Sequence, residues 1–553
     1  MCHSMVRMSI ALHWVRLLAC IAICVGLAAR SAEPPSQPLP SFDQLEALGA
    51  RIGTIRIDPQ NIFDLADPEE NNFLFRWANK LHLGTRASTI EHVLLFKSGD
   101  ALSAHLIDET ERLLRTRRYL YDVDIRAVAY HDGVVDIDVV TRDTWTLNIT
   151  GKYSRSGGAN STSFGFKESN LLGLGATLGY SYVSDVDRHG NEFEAGYPQA
   201  FDGWTELYYL RGQYSDGMRE IASVQRPFYA LETRWAAGAN WSTDDRVDPL
   251  YNAGDVIAKY RHRLRGIEAF GGWSPGPVGK WAQRFSAGAR QQDDAYLPES
   301  DEVAPFPFPV DHKVRGPFVR YQLLEDRFVR KRNHDQIART EFVSMGFDLQ
   351  AEVTRSLDSW GATRSEWLYS VNLKKGYTLP WHHDVLGALV AERKIDSAGE
   401  PFDHQGLSVR YYGPQGPRAA TYGLAAIDRI GSAPAPDLLL LGGDNGLRGY
   451  PLRYQQGERR ALFTIEQRYY TDWYLLRLAR VGGAVFFDTG RAWGGVNQNT
   501  VNGGWLSDVG AGFRFALDRA SFVNVLHVDI AVPLNRAPGV KGVQYLVKTQ
   551  LTF

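Results

Sequence analysis

The sequence predicts a mainly β fold: a transmembrane antiparallel β-barrel preceded by one small α+β domain. Three observations carry that reading. Short segments that alternate apolar and polar residues, divided by Gly, Asp, Asn and Pro, fill the chain from Leu147 onward. An export signal opens the chain, and a period-two segment ending on an aromatic closes it. Such alternation marks strands with one face in lipid and the other in a wet lumen.

Composition agrees. In 553 residues, aromatics reach 12% and there are 53 glycines, which favours β-structure over helix bundles. The net charge of −2 supplies no basic face for nucleic acid. Residues 1–31 read as a signal peptide: Arg7, His13 and Arg16 precede the apolar run Leu17–Ala29, with cleavage expected after Ala28 or Ser31. The run is too short for a membrane anchor. It also continues past Cys20, where a lipid-attachment cysteine would be followed by polar residues. Cys2, Cys20 and Cys24 all lie in this segment, so the mature chain is expected to hold no disulfide and no thiolate for catalysis or metal.

Residues 32–50 form a Pro-rich linker. Residues 51–146 predict a compact unit in the order strand, helix, helix, strand, strand. The helix from Asn71 carries Leu74, Trp77, Ala78 and Leu81 along one face, and the helix from Ser103 turns Leu106, Thr110, Leu113 and Leu114 inward. The last two strands join through His131-Asp132-Gly133, a hairpin turn.

Residues 147–553 form the barrel. At roughly 25 residues for a strand and its turn, about sixteen strands are expected, an even number as bacterial barrels require. In the closing segment, Val543, Tyr545, Val547, Thr549, Leu551 and Phe553 share one face, and Gln544, Lys548, Gln550 and Thr552 take most of the other. Tyr545, Leu551 and Phe553 therefore read as the barrel-closing signal on the lipid side. Counting back from that end, long polar links alternate with short turns. The stretch LLLLGGDNGLRGYPLRYQQGERR, from Leu438, then falls in a long outer loop between the fifth and sixth strands from the end.

In that glycine-rich loop Arg448 sits between small residues and a tyrosine. Strand parity supplies partners: Phe486, Asp488 and Gly490 share one face, Glu466 and Arg468 share another, and His527 pairs with Asp529 on a third. All would point into the lumen. An infolded loop could set Arg448 against Asp488 and Glu466, because a guanidinium holds a carboxylate by two bonds. A solvated surface turn over ordinary lumen carboxylates fits the same spacing, and both readings stand on spacing alone.

The stretch GLRGY (Gly446–Tyr450), the later FFDTG (Phe486–Gly490), the strand bearing Glu466 and the terminal Phe553 resemble the outer-membrane assembly and secretion superfamily that includes BamA, TamA and the two-partner secretion transporters. The unit 51–146 is similar to one polypeptide-transport-associated (POTRA) domain of that superfamily. The resemblance implies a sixteen-stranded barrel behind a periplasmic POTRA domain, in the bacterial outer membrane. It implies that Arg448, Gly449 and Tyr450 fold into the lumen, where Arg448 meets Asp488 of the second motif (Phe486 to Gly490), with Glu466 beside it. Members of the superfamily named above carry more than one POTRA domain, and this chain shows one. The implied partners are outer-membrane lipid, an unfolded or extended client polypeptide and a separate periplasmic protein.

Enzyme motifs are weak. Gly272-Trp273-Ser274-Pro275-Gly276 matches GxSxG, but Pro275 has no N–H to donate to an oxyanion, and the stretch reads as a turn between strands. His382-His383-Asp384 has no helical i, i+4 ligand partner. No catalytic residue, metal or cofactor is expected. The expected function is insertion or translocation of envelope proteins; a passive pore or lipid-handling barrel is the alternative, and an envelope hydrolase a third.

Overall fold

The structure, a computed structural model, describes residues 39–396, 402–431, 438–495, 503–521, 525–535 and 539–550. The signal peptide read over residues 1–31 lies outside them, as do Leu551 and Phe553. Before the barrel come helix α1 (Phe42–Ala47), strand β1 (Arg51–Gln60), helices α2 (Phe73–Leu81), α3 (Ala87–Glu91) and α4 (Ala104–Thr116), and strands β2 (Leu120–His131) and β3 (Val134–Asp143). The sheet order is β1-β3-β2. By contact the chain divides into two compact units: residues up to Ile55 with Ser98–Ala104 and Arg126–Ile137, and all the rest.

In the first unit, α1 starts on a capping box in which Ser41 accepts from the Gln44 amide and the Gln44 side chain accepts from the Ser41 amide. The β2–β3 hairpin turns on Asp132 and Gly133, both at positive φ (52° and 80°), as a two-residue turn matched to strand twist requires.

In the second unit, Asn72 caps α2 by accepting from the Phe75 amide. Phe75 stacks on Phe63 with centroids 3.9 Å apart, and Ala78 packs beside them. This docking turns Leu74, Trp77 and Leu81 outward: each is more than half exposed. Of the stripe read by periodicity, Leu74, Trp77 and Leu81 share the outward face while Ala78 turns inward, because periodicity could not say which face meets a neighbour. In α4 the expected Thr110 and Leu114 are buried, and Ile107 joins them.

The barrel is closed and antiparallel, with 20 strands among the described residues, from Leu147–Ser156 to Gln544–Gln550. It therefore exceeds the sixteen that the sequence led us to expect. Tight links are the cause: Gly157-Gly158, Ser215-Asp216, Ala253-Gly254 and Gly279-Lys280 each join two strands, so a strand and its turn use about 20 residues rather than 25, and the count stays even. The last strand closes on the first, with Val547 opposite Arg155. Links that follow odd-numbered barrel strands lie at one rim, and those after even-numbered strands at the other, with the N-terminal entry to the first strand.

The wall has inverted polarity. On Arg459–Leu475, Phe463, Ile465 and Tyr469 are exposed while Thr464, Glu466, Arg468 and Tyr470 are buried. On Ala479–Trp493, Val485 is exposed while Phe486 and Asp488 are buried. On the closing strand, Tyr545 is exposed, and Gln544 and Leu546 are buried. Charge inside and aromatic surface outside is the arrangement of a barrel set in lipid.

Seam closure is testable. Directly opposed antiparallel residues sit about 4.5–5.5 Å apart, within disulfide reach. In the mature chain, Arg155→Cys with Val547→Cys should oxidise to an intramolecular cross-link, read as a gel shift reversed by reductant. Arg155→Cys with Val528→Cys, one strand further on, should not.

Candidate functional site

The site is built by a loop that leaves the wall at Gly431 and returns at Arg459. Leu439–Leu441 pairs with Gln455–Gly457 as a short ladder, so the loop folds on itself before meeting the wall. At Gly442 (φ 127°) a Cβ would lie 2.4 Å from the Pro451 carbonyl oxygen, a contact only glycine avoids. Leu441, Leu447, Tyr450 and Tyr454 are wholly buried and pack with Ala492 and Leu506 of the wall. The Tyr450 hydroxyl donates to the Ser507 carbonyl at 2.9 Å, and the Gln455 side chain accepts from the Ala492 amide at 2.9 Å. Arg453 reaches further round, pairing with Asp187 at 2.7 Å.

This packing delivers Arg448 to the inner wall. Its Nε donates to Asp488 Oδ2 at 2.7 Å and its Nη2 to Asp488 Oδ1 at 2.9 Å, a fork-on-fork pair. Its Nη1 donates to Glu466 Oε1 at 2.7 Å. The guanidinium lies over the Phe486 ring, 3.4 Å from the centroid, so the second motif supplies both a carboxylate and a π-face. The solvated-turn reading falls: Arg448, Asp488 and Glu466 are all buried. Gly449 is needed because a Cβ there would sit 2.6 Å from the Asp508 Cβ. Gly490 allows Leu441 to approach, since its Cβ would meet Leu441 Cδ2 at 3.2 Å and the Ala461 oxygen at 2.8 Å. Tyr545, the described part of the closing signal, stands on the outer face, away from the loop.

Other members of the cluster escaped the sequence reading as site residues. Arg468 donates to Glu466 Oε2 at 3.1 Å. Arg514, fully buried, donates to Asp529 and to the Phe513 carbonyl at 3.1 Å, with Glu466 Oε1 at 3.9 Å. Asp529 is 3.8 Å from Arg448 Nη1. Three guanidiniums and three carboxylates thus interlock. Parity had already pointed Arg468 and Asp529 inward; Arg514 and Asp508 stand on a strand that carried no motif.

A second segment enters from the opposite rim. Between the tenth and eleventh barrel strands, Phe328–Arg332 pairs with Thr340–Ser344 as a hairpin. Its tip packs Ile337 against Tyr470, Ala484, Ala516 and Val525. His334 stacks on Tyr412 at 3.6 Å. The His334 carbonyl accepts from Arg468 Nη1 at 3.3 Å, and the Asn333 carbonyl from the Tyr470 hydroxyl at 2.9 Å. Glu466 and its neighbour Arg468 therefore hold both infolded segments, one from each rim.

The GxSxG match is not a turn, as the sequence suggested. It lies inside the strand Asp255–Val278, at a register shift between Trp273 and Gly276. Ser274 is buried there and its hydroxyl accepts from the Gly276 amide at 3.0 Å. The bulge relieves the ladder bond that Pro275 cannot make.

No family model matches the chain, and no curated protein matches it. Among solved structures it is similar to BamA from Haemophilus ducreyi lacking POTRA domains 1–3, at 13% identity over 90% of this chain and 84% of that one, with a TM-score of 0.39. It is similar to CdiB from Acinetobacter baumannii at 12% identity over 98% and 97%, TM-score 0.43. It is also similar to CdiB from Escherichia coli at 13% identity over 91% and 76%, TM-score 0.46. The barrel itself is read from its own strand pairing.

Removing one member of a buried charge lattice strands the others. Arg448→Ala should cost about 3–5 kcal/mol while the barrel still closes, because ladder hydrogen bonds are untouched. Asp488→Ala combined with Arg448→Ala should be far less than additive, since the two act as one unit. Arg448→Lys should recover only part, lacking the fork. A double-mutant cycle on denaturant unfolding in detergent reads all three, and strict additivity would separate the residues.

Proposed function

We propose that this protein is a bacterial outer-membrane barrel that inserts or translocates another envelope polypeptide without covalent chemistry, and that Arg448 locks its lumen at rest. The observation that carries this reading is the Arg448 fork on Asp488 with Glu466 at 2.7 Å, deep among wall residues. A passive pore gains nothing from two segments infolded from opposite rims onto one charge lattice. A gated conduit does, because the lattice is a single point at which both segments can be released. The wall elsewhere is polar and charged, as passage of an extended chain needs: Arg290 and Arg320 bridge Glu268 and Glu352 across four neighbouring strands.

The N-terminal α+β elements are POTRA-like in this reading and face the periplasm. An extended client adds to an open sheet edge, since β1 and β2 are the outer strands of β1-β3-β2. The exposed stripe of Leu74, Trp77 and Leu81 on α2 offers an apolar surface of its own. Lipid handling remains the second reading, on the strength of the same stripe.

Conductance and cross-linking test the proposal. In planar bilayers the purified protein should be nearly silent, and Arg448→Ala should show frequent large openings. A steady large conductance from the unaltered protein would make it a passive pore. A photo-reactive residue at Trp77 should capture polypeptide in intact cells; adducts of lipid alone would favour lipid handling instead.

A further inference from the structure

Helix α4 carries His105 and Glu109 one turn apart, on the side facing two links of the barrel rim. Glu232, on the link 227–234, accepts at Oε1 from His105 Nε2 at 2.8 Å. Glu109 Oε2 lies 3.5 Å from the same nitrogen. Asp326, at the start of the next rim link but one, lies 3.2 Å from His105 Nδ1. The imidazole therefore presents one nitrogen to a single carboxylate and the other to a pair.

We propose that His105, Glu109 and Glu232 form a binding site for one divalent transition-metal ion of the zinc or manganese class, pinning α4 to the rim link 227–234. The inference stands apart from the proposed transport function.

Four features support it. First, the three ligand atoms lie within 4.8 Å of one another. Two atoms each about 2.1 Å from a tetrahedral metal are roughly 3.4 Å apart, close to the 3.5 Å between His105 Nε2 and Glu109 Oε2, whereas Glu232 Oε1, at 2.8 Å from the same nitrogen, has to draw back to admit the ion. Second, Glu109 is 98% buried at its side chain and its Oε2 has only the His105 ring nitrogen beside it, at 3.5 Å, while Glu232 Oε2 is buried and accepts no hydrogen bond. A carboxylate oxygen left bare in the interior is costly unless a cation meets it. Third, the other Glu109 oxygen is fixed: it accepts from the Leu231 amide at 2.8 Å and pairs with Arg112 at 3.1 Å, which aims Oε2 at His105. Fourth, Asp326 takes the Nδ1 proton, and its own amide donates to the Lys280 carbonyl at 2.7 Å. A carboxylate behind a histidine fixes the tautomer in which Nε2 is free to ligate.

One imidazole with two carboxylates excludes magnesium and calcium, which prefer all-oxygen shells. His105 and Glu232 are each about a third exposed at the side chain, 39% and 34%, so water can complete the coordination. Arg112 and Arg284, the latter donating to the Ala230 carbonyl at 2.9 Å, are the cations facing the cluster.

The test uses the full mature chain in detergent, stripped with chelator and dialysed against zinc alone, manganese alone or magnesium alone. Elemental analysis should find one zinc or manganese per chain and no magnesium. Glu109→Gln keeps the oxygen that meets Leu231 and should cut retained metal at least tenfold. Glu232→Gln, at a side chain a third exposed on its rim link, should do the same and serves if the first variant fails to fold. Asp326→Asn should weaken affinity by about 10–100-fold without abolishing it. No zinc or manganese on the unaltered chain, or retention unchanged by Glu232→Gln in a heat-modifiable barrel, would overturn the site and leave a histidinium clamp.

Discussion

Charge inside a closed barrel must find its partner inside the barrel. A strand wall with an apolar exterior can place polar groups only on the lumen side, and each one buried there by an infolded segment loses water. Arg448 is held under this constraint. Its fork closes on Asp488, its third nitrogen on Glu466, and its face on Phe486. Arg468 holds the other oxygen of Glu466, and Arg514 holds Asp529 Oδ1. The lattice is near neutrality, so none of its members can be removed singly without exposing the charge of another.

The loop around Arg448 follows from that demand. Glycines let it double back, and Leu441, Leu447, Tyr450 and Tyr454 supply the apolar packing that the charge lattice cannot. The hairpin from the other rim uses the same wall strand from the opposite direction: the Arg468 guanidinium meets the His334 carbonyl, and Tyr470 meets Asn333. Strand Arg459–Leu475 is thus the shared anchor. A disturbance of Glu466 is felt by both infolded segments.

At the other end of the molecule the same logic acts with fewer partners. Helix α4 brings a histidine and a carboxylate to rim links that contribute two more carboxylates. Here the carboxylates of Glu109, Glu232 and Asp326 face His105, Arg112 and Arg284, and Glu109 Oε2 and Glu232 Oε2 accept no hydrogen bond.

Much of this was legible in the sequence. Period two showed barrel strands, and parity alone turned Glu466, Arg468, Asp488 and Asp529 inward and Phe463, Ile465 and Val485 outward, because a strand's side chains alternate without exception short of a bulge. Counting from the terminus placed the Arg448 loop between the correct pair of strands. What only tertiary structure decided was of three kinds. The number of strands depends on the tightness of turns such as Gly157-Gly158 and Ala253-Gly254, which alternation does not encode. The outward stripe of α2 depends on which face Phe63 claims, and amphipathicity measures a stripe, never its neighbour. The partners of Arg448 and of His105 come from segments distant along the chain. Spacing can point a side chain at a lumen or a rim, but closure of the barrel alone sets two such groups within hydrogen-bond distance.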